Sequence, residues 1–259
     1  MDNDLLNPYQ PPKSISYQEP LDPIDVGDKV SIDRALSLSW KIGFRNIETV
    51  MIILICLYWP GYILMSVLTH HVFDPSATWI PPLLEGGLDF TLFIIADAAF
   101  YYLGLRTIVG EHPGAGESLR VGLQAFGVMF ITRLLASILS LFGLLLLIIP
   151  GIYLYFRWYF IDPVVISEGI SAEMALRRSW KLTKGNVATL VVAQILATFT
   201  FFLPAILLNV TFNFIEFSNW WVDGLKAIVG HVLIPFFVFF NCVLFVQFRR
   251  QYSEIREES

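Results

Sequence analysis

Six long runs of apolar residues dominate this chain of 259 residues. They lie at 46–68, 88–110, 126–148, 152–168, 187–212 and 225–248. A helix needs about 20 apolar residues to cross a bilayer. With 56% hydrophobic and only 15% charged residues, a soluble fold of this length could not cover so much apolar surface. The pattern predicts an all-α fold: a polytopic membrane helical bundle with about six transmembrane helices.

The run at 152–168 is the weakest of the six. It is short, it contains Arg157, and its Asp162-Pro163 pair interrupts helical hydrogen bonding. Bare backbone groups facing lipid are costly. We therefore expect a tilted or broken helix that its neighbours shield from lipid.

The basic residues are distributed unevenly among the connections. The connections 69–87, 149–151 and 213–224 contain no Lys or Arg. All of the 17 basic residues except Lys226 fall in the alternate connections, at the chain ends or along the helices that adjoin them. By the positive-inside rule, this predicts six spans with both termini in the cytoplasm.

The two ends of the chain differ from the middle in composition. Residues 1–30 are rich in proline and acidic residues, which predicts a disordered cytoplasmic tail. Residues 31–250 are predicted to form one transmembrane domain, and 251–259 a cytoplasmic C-terminal tail. No signal-peptide pattern opens the sequence, so the first apolar run is expected to act as an uncleaved insertion signal.

Residues 31–50 and 171–190 are two copies of one motif. Aligned at an offset of 140, they share eight of twenty positions, and each copy leads directly into an apolar run. The identical pairs are Ser31/Ser171, Ala35/Ala175, Leu36/Leu176, Ser39/Ser179, Trp40/Trp180, Lys41/Lys181, Asn46/Asn186 and Thr49/Thr189.

A fainter third copy begins at Glu117. The three copies predict repeat units near 31–110, 115–168 and 171–250, each with an inward-to-outward helix, a proline break and a return helix. Two interpretations stay open. Transporters use such interrupted repeats, but Pro and Gly are also common in the spanning helices of inert bundles.

Both full copies predict a basic amphipathic helix on the cytoplasmic membrane surface, because apolar residues recur at helical spacing and basic residues occupy the opposite face. The residues expected to contact lipid headgroups are Trp40, Lys41, Arg177, Arg178, Trp180, Lys181 and Lys184. Such a helix can be a simple topology anchor. It can also form an anionic-lipid site, since each basic residue near an acidic leaflet adds about 1 kcal/mol.

The region 148–190 carries a family resemblance. Its motifs are Ile148-Ile149-Pro150-Gly151-Ile152-Tyr153-Leu154, Arg157-Trp158, Asp162-Pro163-Val164-Val165, Glu168-Gly169 and Ala175-Leu176-x-x-Ser179-Trp180-x-Leu182-x-x-Gly185-Asn186. They resemble the membrane domain attached to some bacterial glycerophosphoryl diester phosphodiesterases, and the related stand-alone six-span proteins of the YciC type. The resemblance implies a multi-pass protein of the bacterial cytoplasmic (inner) membrane. It implies no catalytic apparatus, because the phosphodiesterase chemistry belongs to a separate soluble domain.

Four ionisable residues fall inside the apolar runs two to four. They are Asp97, Arg133, Arg157 and Asp162. Ionisable groups at membrane depth are costly and commonly functional. We expect Asp97 to pair with Arg133 or Arg157. The pair would either fix helix packing or belong to a polar path for a proton, an ion or a lipid headgroup.

Nothing in the sequence is typical of catalysis. There is no His-Glu-x-x-His, no Gly-x-Ser-x-Gly and no phosphate-binding Gly loop. The sequence therefore predicts no cofactor and no metal site, and it favours a non-enzymatic protein. The net charge of −5 reflects acidic residues concentrated at the chain ends, six of them in residues 1–28. This distribution argues against nucleic acid as a partner.

Three functions remain, in this order. The first is a non-enzymatic integral membrane protein that organises membrane lipids, another membrane protein or further copies of itself. The second is a small transporter or lipid-handling protein that uses the buried charges. The third is a lipid-acting membrane enzyme. A mid-membrane polar cavity that joins Asp97, Arg133 and Arg157 would favour the second function, and a dry bundle the first.

Overall fold

The computed structural model describes residues 24–71 except 28, residues 80–210 except 205, 208 and 209, and residues 231–257. This part of the chain is helical and contains no strand, so the all-α prediction is confirmed for it. The predicted N-terminal tail up to residue 23, the loop 72–79 and the ends of the fifth and sixth predicted spans at 211–230 lie outside the described residues.

Nine helices can be followed through the described residues. They are α1 (Ile32–Arg45), α2 (Ile47–His71), α3 (Ile80–Ile108), α4 (Ala115–Leu146), α5 (Ile148–Arg157), α6 (Ile161–Glu168), α7 (Ala172–Leu182), α8 (Val187–Ala197) and α9 (Ile234–Glu257). A π-helical turn, Thr198–Phe202, continues α8.

Two of these helices are long and apolar enough to cross a membrane, over Gly86–Ile108 in α3 and Ala115–Leu145 in α4. The α1–α2 pair bends by 74° and the α7–α8 pair by 99°. If each bent pair is one span, the described residues hold up to four candidate spans. The six-span count therefore stays a prediction.

The predicted sixth span corresponds to the central helix of the bundle. Within α9, the side chains of Phe239, Phe240 and Phe245 are completely buried, and the helix contacts α1 and α3 most extensively. Its apolar run ends at Arg249, fifteen residues after Ile234. The described part is thus shorter than a full span, since the predicted start at residue 225 is not described.

The predicted fourth span is broken. Helix α5 ends at Arg157, a turn occupies 158–160, and α6 begins at Ile161. Because a break inside a membrane leaves backbone groups without helical partners, these groups must be satisfied by other atoms. The structure shows that α7 supplies them.

Two hydroxyl groups, one in α7 and one at the residue that caps it, satisfy the break. The Arg157 carbonyl oxygen accepts hydrogen bonds from the hydroxyls of Ser179 and Thr183, both at 3.1 Å. The backbone N–H of Phe160 donates to Ser179 Oγ at 3.1 Å. The repeated Ser-Trp motif of α7 therefore holds the broken span in place.

We expect Ser179→Ala to lower the free energy of unfolding by about 1–3 kcal/mol, because the buried N–H of Phe160 loses its partner. The Arg157 carbonyl keeps its bond from Thr183. Ser39, the equivalent residue of the first copy, is the matched control. It is also fully buried, but its hydroxyl donates to the Leu36 carbonyl of its own helix at 2.7 Å. Denaturant unfolding in detergent micelles measures both losses, and equal losses for the two alanine variants would contradict this role of Ser179.

The two motif copies share their buried positions. Ala35 and Ser39 are completely buried in α1, as Ala175 and Ser179 are in α7. Each copy then bends sharply into the next apolar helix. The copies differ at the start, because Ser31 Oγ accepts a hydrogen bond from the Arg34 backbone N–H at 3.4 Å, whereas the side chain at the equivalent position of α7 makes no capping bond. That the copies are a true internal repeat stays a prediction.

Candidate functional site

Three charged residues from three helices meet in the interior of the bundle. Arg133 of α4 donates through Nη2 to Asp97 Oδ2 of α3 at 2.7 Å and to Asp162 Oδ2 of α6 at 2.9 Å. Its Nε donates to Asp162 Oδ1 at 3.1 Å. We call these three residues the charged triad. The turn that breaks the fourth predicted span brings Asp162, in the first turn of α6, to Arg133.

The charged triad is buried, and Arg133 lies far from both ends of its helix. Arg133 is 18 residues from the start of α4 and 13 from its end, which at 1.5 Å per residue is about 27 Å and about 20 Å. Only 8% of the Asp97 side chain, 16% of that of Arg133 and 15% of that of Asp162 is exposed. The triad is therefore an internal cluster.

The charges of the triad do not balance. Two carboxylates face one guanidinium, which leaves a formal charge of −1. Asp162 uses both of its oxygens on Arg133. Asp97 uses Oδ2, while its buried Oδ1 has no hydrogen-bond partner among the residues that the structure describes. A buried polar atom without a partner is costly and needs an explanation.

A cavity of about 510 Å³ adjoins the triad, and Asp97, Arg133 and Asp162 all line it. Helices α3, α4, α5, α6 and α9 contribute to its wall, together with the turn between α5 and α6. The wall is largely aromatic, with Phe90, Phe93, Tyr101, Tyr155, Trp158 and Phe237 among its residues. A mostly apolar cavity of this size with a few convergent polar groups is typical of a small-molecule site.

A second polar cluster meets the same cavity. The Tyr159 hydroxyl lies 2.5 Å from Gln194 Oε1 and 3.1 Å from Asn241 Oδ1, and Gln194 Nε2 donates to Asn241 Oδ1 at 3.0 Å. Tyr159 and Asn241 line the cavity. Our sequence reasoning did not group these residues. The available signal was that Gln194 and Asn241 are isolated polar residues within apolar helices.

The structure brings together three of the four ionisable residues singled out from the sequence. Arg157 is the exception. Its guanidinium carbon lies 4.1 Å from the ring centroid of Trp180 and 5.7 Å from that of Tyr153. It does not line the cavity. Because α5 ends at Arg157, this side chain turns toward α7, while the following turn directs Asp162 to Arg133. Asp97 therefore pairs with Arg133 and not with Arg157, and Asp162 is the second partner of Arg133. That these residues form a polar path stays a prediction.

The residues expected at lipid headgroups divide into two groups. Arg177 pairs with Glu173 at 2.7 Å and Arg178 with Glu168 at 3.1 Å, so both arginines are already engaged. The side chains of Lys41, Lys181 and Lys184 are exposed, and no ion pair of theirs is seen among the described residues. The lysines are thus the cations available to a headgroup.

The two repeated tryptophans have different surroundings. The Trp40 ring packs 4.7 Å from the ring of Phe236 and 5.4 Å from that of Phe201, between centroids, so it joins the core. The Trp180 side chain is 36% exposed and stacks with Arg157. Only Trp180 therefore resembles a side chain at the membrane interface.

Contacts gather the basic connections at one end of the bundle. Arg45 Nη2 lies 2.6 Å from His112 Nε2, which joins the α1–α2 corner to the α3–α4 connection. The Gln247 side chain donates to the Val26 carbonyl at 2.7 Å, which places the chain before α1 beside the C-terminal half of α9. Arg249 lies 3.5 Å from Glu168 at the end of α6. That this end faces the cytoplasm stays a prediction of the positive-inside rule.

Comparison with protein-family models, with curated proteins and with solved structures found no match for this chain. The fold and the site define the class of protein: in the described residues it is all-helical, with apolar helices that could span a membrane and a charged triad beside an aromatic-lined cavity. Within the described residues, no group of His, Cys, Asp and Glu could hold a metal ion. The family resemblance of residues 148–190 stays a prediction.

The site offers two chemical capabilities. The unpartnered carboxylate oxygen of Asp97 can accept a hydrogen bond, a proton or a cation. The aromatic wall can enclose an apolar group and can also stabilise a positive charge over a ring face. Together they suit binding of a ligand that is partly apolar and partly polar.

Proposed function

We propose that this chain is a multi-pass protein of the bacterial inner membrane that binds a partly apolar ligand in the triad-lined cavity. It would act as a small transporter or a lipid-handling protein and not as an enzyme. The observation that carries the proposal is the charged triad beside a cavity of about 510 Å³. In this account the chain has about six spans, with both termini in the cytoplasm.

The arrangement of the helices supports the membrane part of the proposal. The basic connections meet at one end, and the apolar side chains of Leu141, Leu145 and Ile149 near the α4–α5 corner are more than half exposed. Soluble proteins rarely expose so much contiguous apolar surface, whereas lipid contact requires it. The two bent helix pairs that carry the Ser-Trp motif fit the proposed repeat and the proposed membership of the phosphodiesterase-associated membrane family.

The cavity is the reason to prefer ligand binding over a purely organising role. A dry, closely packed bundle would need no cavity, and a neutral ion pair would be enough to fix helix packing. Instead the triad carries an excess negative charge at depth, where ionisable groups are commonly functional. The π-helical turn Thr198–Phe202, which contributes Phe202 to the wall, is also a feature found frequently at functional sites.

A specific observation also favours the organising role as a second candidate. Lys41, Lys181 and Lys184 are exposed, and Trp180, next to Lys181 in the chain, has a partly exposed ring. This combination suits contact with anionic lipid headgroups. The two roles are compatible, because the lysines lie outside the cavity wall.

A cavity-filling substitution tests the proposed function. Ser137 lines the open side of the cavity one helical turn after Arg133, so Ser137→Trp introduces a large ring at the cavity wall without changing the triad. We expect wild-type protein, purified in mild detergent and analysed by native mass spectrometry, to retain a bound small molecule or lipid. We expect Ser137→Trp to lose most of it.

Leu139→Trp is the matched control, because Leu139 is exposed on the same helix and does not line the cavity. The control should retain the molecule at the wild-type level, and the thermal unfolding midpoints of the two variants establish that both are folded. Equal retention in wild type and Ser137→Trp would contradict ligand binding in this cavity.

A further inference from the structure

The net charge of the cavity wall determines which ligand charge the cavity favours. Among the described residues, the charged side chains in the wall are Asp97, Arg133 and Asp162. Arg133 is held between both carboxylates, so its charge is already compensated. The excess charge is negative, and Asp97 Oδ1 is the buried oxygen that lacks a partner.

We propose that the ligand is an amphiphilic organic cation, an amine whose N–H groups bind the Asp97 carboxylate once its side chain turns Oδ1 toward the cavity, while its apolar body lies against the aromatic wall. This inference rests on the proposed function of the cavity. It adds the substrate class and the residue that recognises it. A charged N–H would supply the hydrogen bond that Oδ1 lacks and would neutralise the triad in the same step.

An anionic ligand fits the site less well. It would have to compete with two carboxylates for one guanidinium, and it would add a second excess negative charge in a region of low dielectric constant. A neutral ligand could fill the aromatic part of the cavity. It would leave the charge of the triad uncompensated.

The aromatic wall matches the other half of such a ligand. Phe93 lies against the triad, with the Arg133 guanidinium carbon 5.6 Å from its ring centroid. The rings of Tyr101, Tyr155 and Trp158 continue the wall. Aromatic faces stabilise both apolar groups and organic cations, since the face of the ring carries partial negative charge.

The cavity opens at an apolar surface, which indicates the route of entry. Phe90, Leu134, Tyr155 and Phe202 line the cavity and are themselves exposed. Phe202 packs on Phe237 with ring centroids 5.2 Å apart. In a membrane-spanning protein this surface faces lipid, so a ligand that partitions into the bilayer can reach Asp97 sideways. This is why the proposed cation is amphiphilic.

Three probes with the same aromatic body and different charge test the inference. Phenylpropylamine is a cation at neutral pH, phenylpropanol is neutral and phenylpropanoate is an anion. Binding is measured by calorimetry on the full chain in nanodiscs of zwitterionic phosphatidylcholine, with empty nanodiscs as the partition blank. We expect the amine to bind more tightly than the alcohol by about tenfold or more, and the carboxylate to bind more weakly than the alcohol.

Two variants then separate this inference from the proposed function. Asp97→Asn should reduce amine affinity to that of the alcohol, while Ser137→Trp should abolish binding of both. If the alcohol binds as well as the amine and Ser137→Trp removes both, the cavity binds ligands but the assignment of a cation is wrong. Tighter binding of the carboxylate than of the amine also overturns the assignment of a cation.

If none of the three probes binds above the blank, both the proposed function and the assignment of a cation fail. Because the charge series is read on wild-type protein, the test stands even if Asp97→Asn does not fold.

Discussion

Arg133→Met is expected to lower the free energy of unfolding by about 3–5 kcal/mol. The substitution removes the guanidinium that donates to Asp97 and Asp162 and leaves two buried carboxylates close together without a counter-charge. Unfolding by denaturant or heat in detergent micelles measures the loss. Arg120→Met is the matched control, because Arg120 lies on the same helix with an exposed side chain, and we expect a change within about 0.5 kcal/mol there.

A neutral version of the triad distinguishes lost charge pairing from lost packing. Asp97→Asn and Asp162→Asn added to Arg133→Met remove all three charges, and buried ion clusters can often be replaced by neutral groups with little loss of stability. We expect this triple variant to recover most of the loss. A triple variant as unstable as Arg133→Met alone would show that the Arg133 side chain acts through its shape and not through its charge.

Gly122→Val is expected to cause the second large loss, about 3 kcal/mol more than Gly127→Val. A Cβ atom at Gly122 would lie 2.6 Å from the Ile95 carbonyl oxygen and 3.3 Å from the Ala99 backbone nitrogen. Backbone atoms of α3 cannot move aside as a side chain can, so α3 and α4 must separate. Close approach at small residues is a common basis of helix packing in membranes.

The control at Gly127 isolates the helix contact from helix propensity. Gly127 lies on the same helix, and a Cβ there would meet no atom within 4 Å. Both valine variants change the backbone preference of α4 alike. The unfolding midpoints of the two variants measure their stabilities. We also expect Gly122→Val to retain less ligand, because the α3–α4 contact aligns Asp97 with Arg133. Equal stability of the two variants would contradict the close packing of these helices.

The helical class and most helix positions could be predicted because long apolar runs admit few other structures. Asp97 and Arg133 stood out as charges within such runs. The sequence also located the broken span, since Asp162-Pro163 cannot continue a helix that begins earlier. The observed break lies at 158–160, just before this pair, and Pro163 falls in the first turn of α6, where a missing N–H costs little.

The partner of the charged residues could not be predicted from spacing alone. Arg157 and Asp162 are only five residues apart, and a three-residue turn decides which of them faces Arg133. The polar cluster of Tyr159, Gln194 and Asn241 depends on three elements that are distant in sequence. The sequence also could not fix the number of spans. A helix that is apolar on all sides can be a buried core helix or a helix in lipid, and α9 is buried among other helices.

The repeated motif predicted which positions are buried but not which partners they bond. It marked Ala35/Ala175 and Ser39/Ser179, and the structure shows that these are the buried contact positions of α1 and α7. It did not reveal that Ser179 satisfies the broken span while Ser39 bonds within its own helix. Equivalent residues acquired different partners because the helices beside them differ.

Direct observation of the cavity in a lipid environment is the most decisive measurement. An experimental structure of the wild-type chain in lipidic mesophase or nanodiscs, compared with Ser137→Trp, shows whether the cavity holds a molecule. We predict non-protein density between the aromatic wall and Asp97 Oδ1 in wild type and its loss in Ser137→Trp. A wild-type cavity closed by its own side chains, with Asp97 Oδ1 bonded to another residue of the chain, would contradict the account.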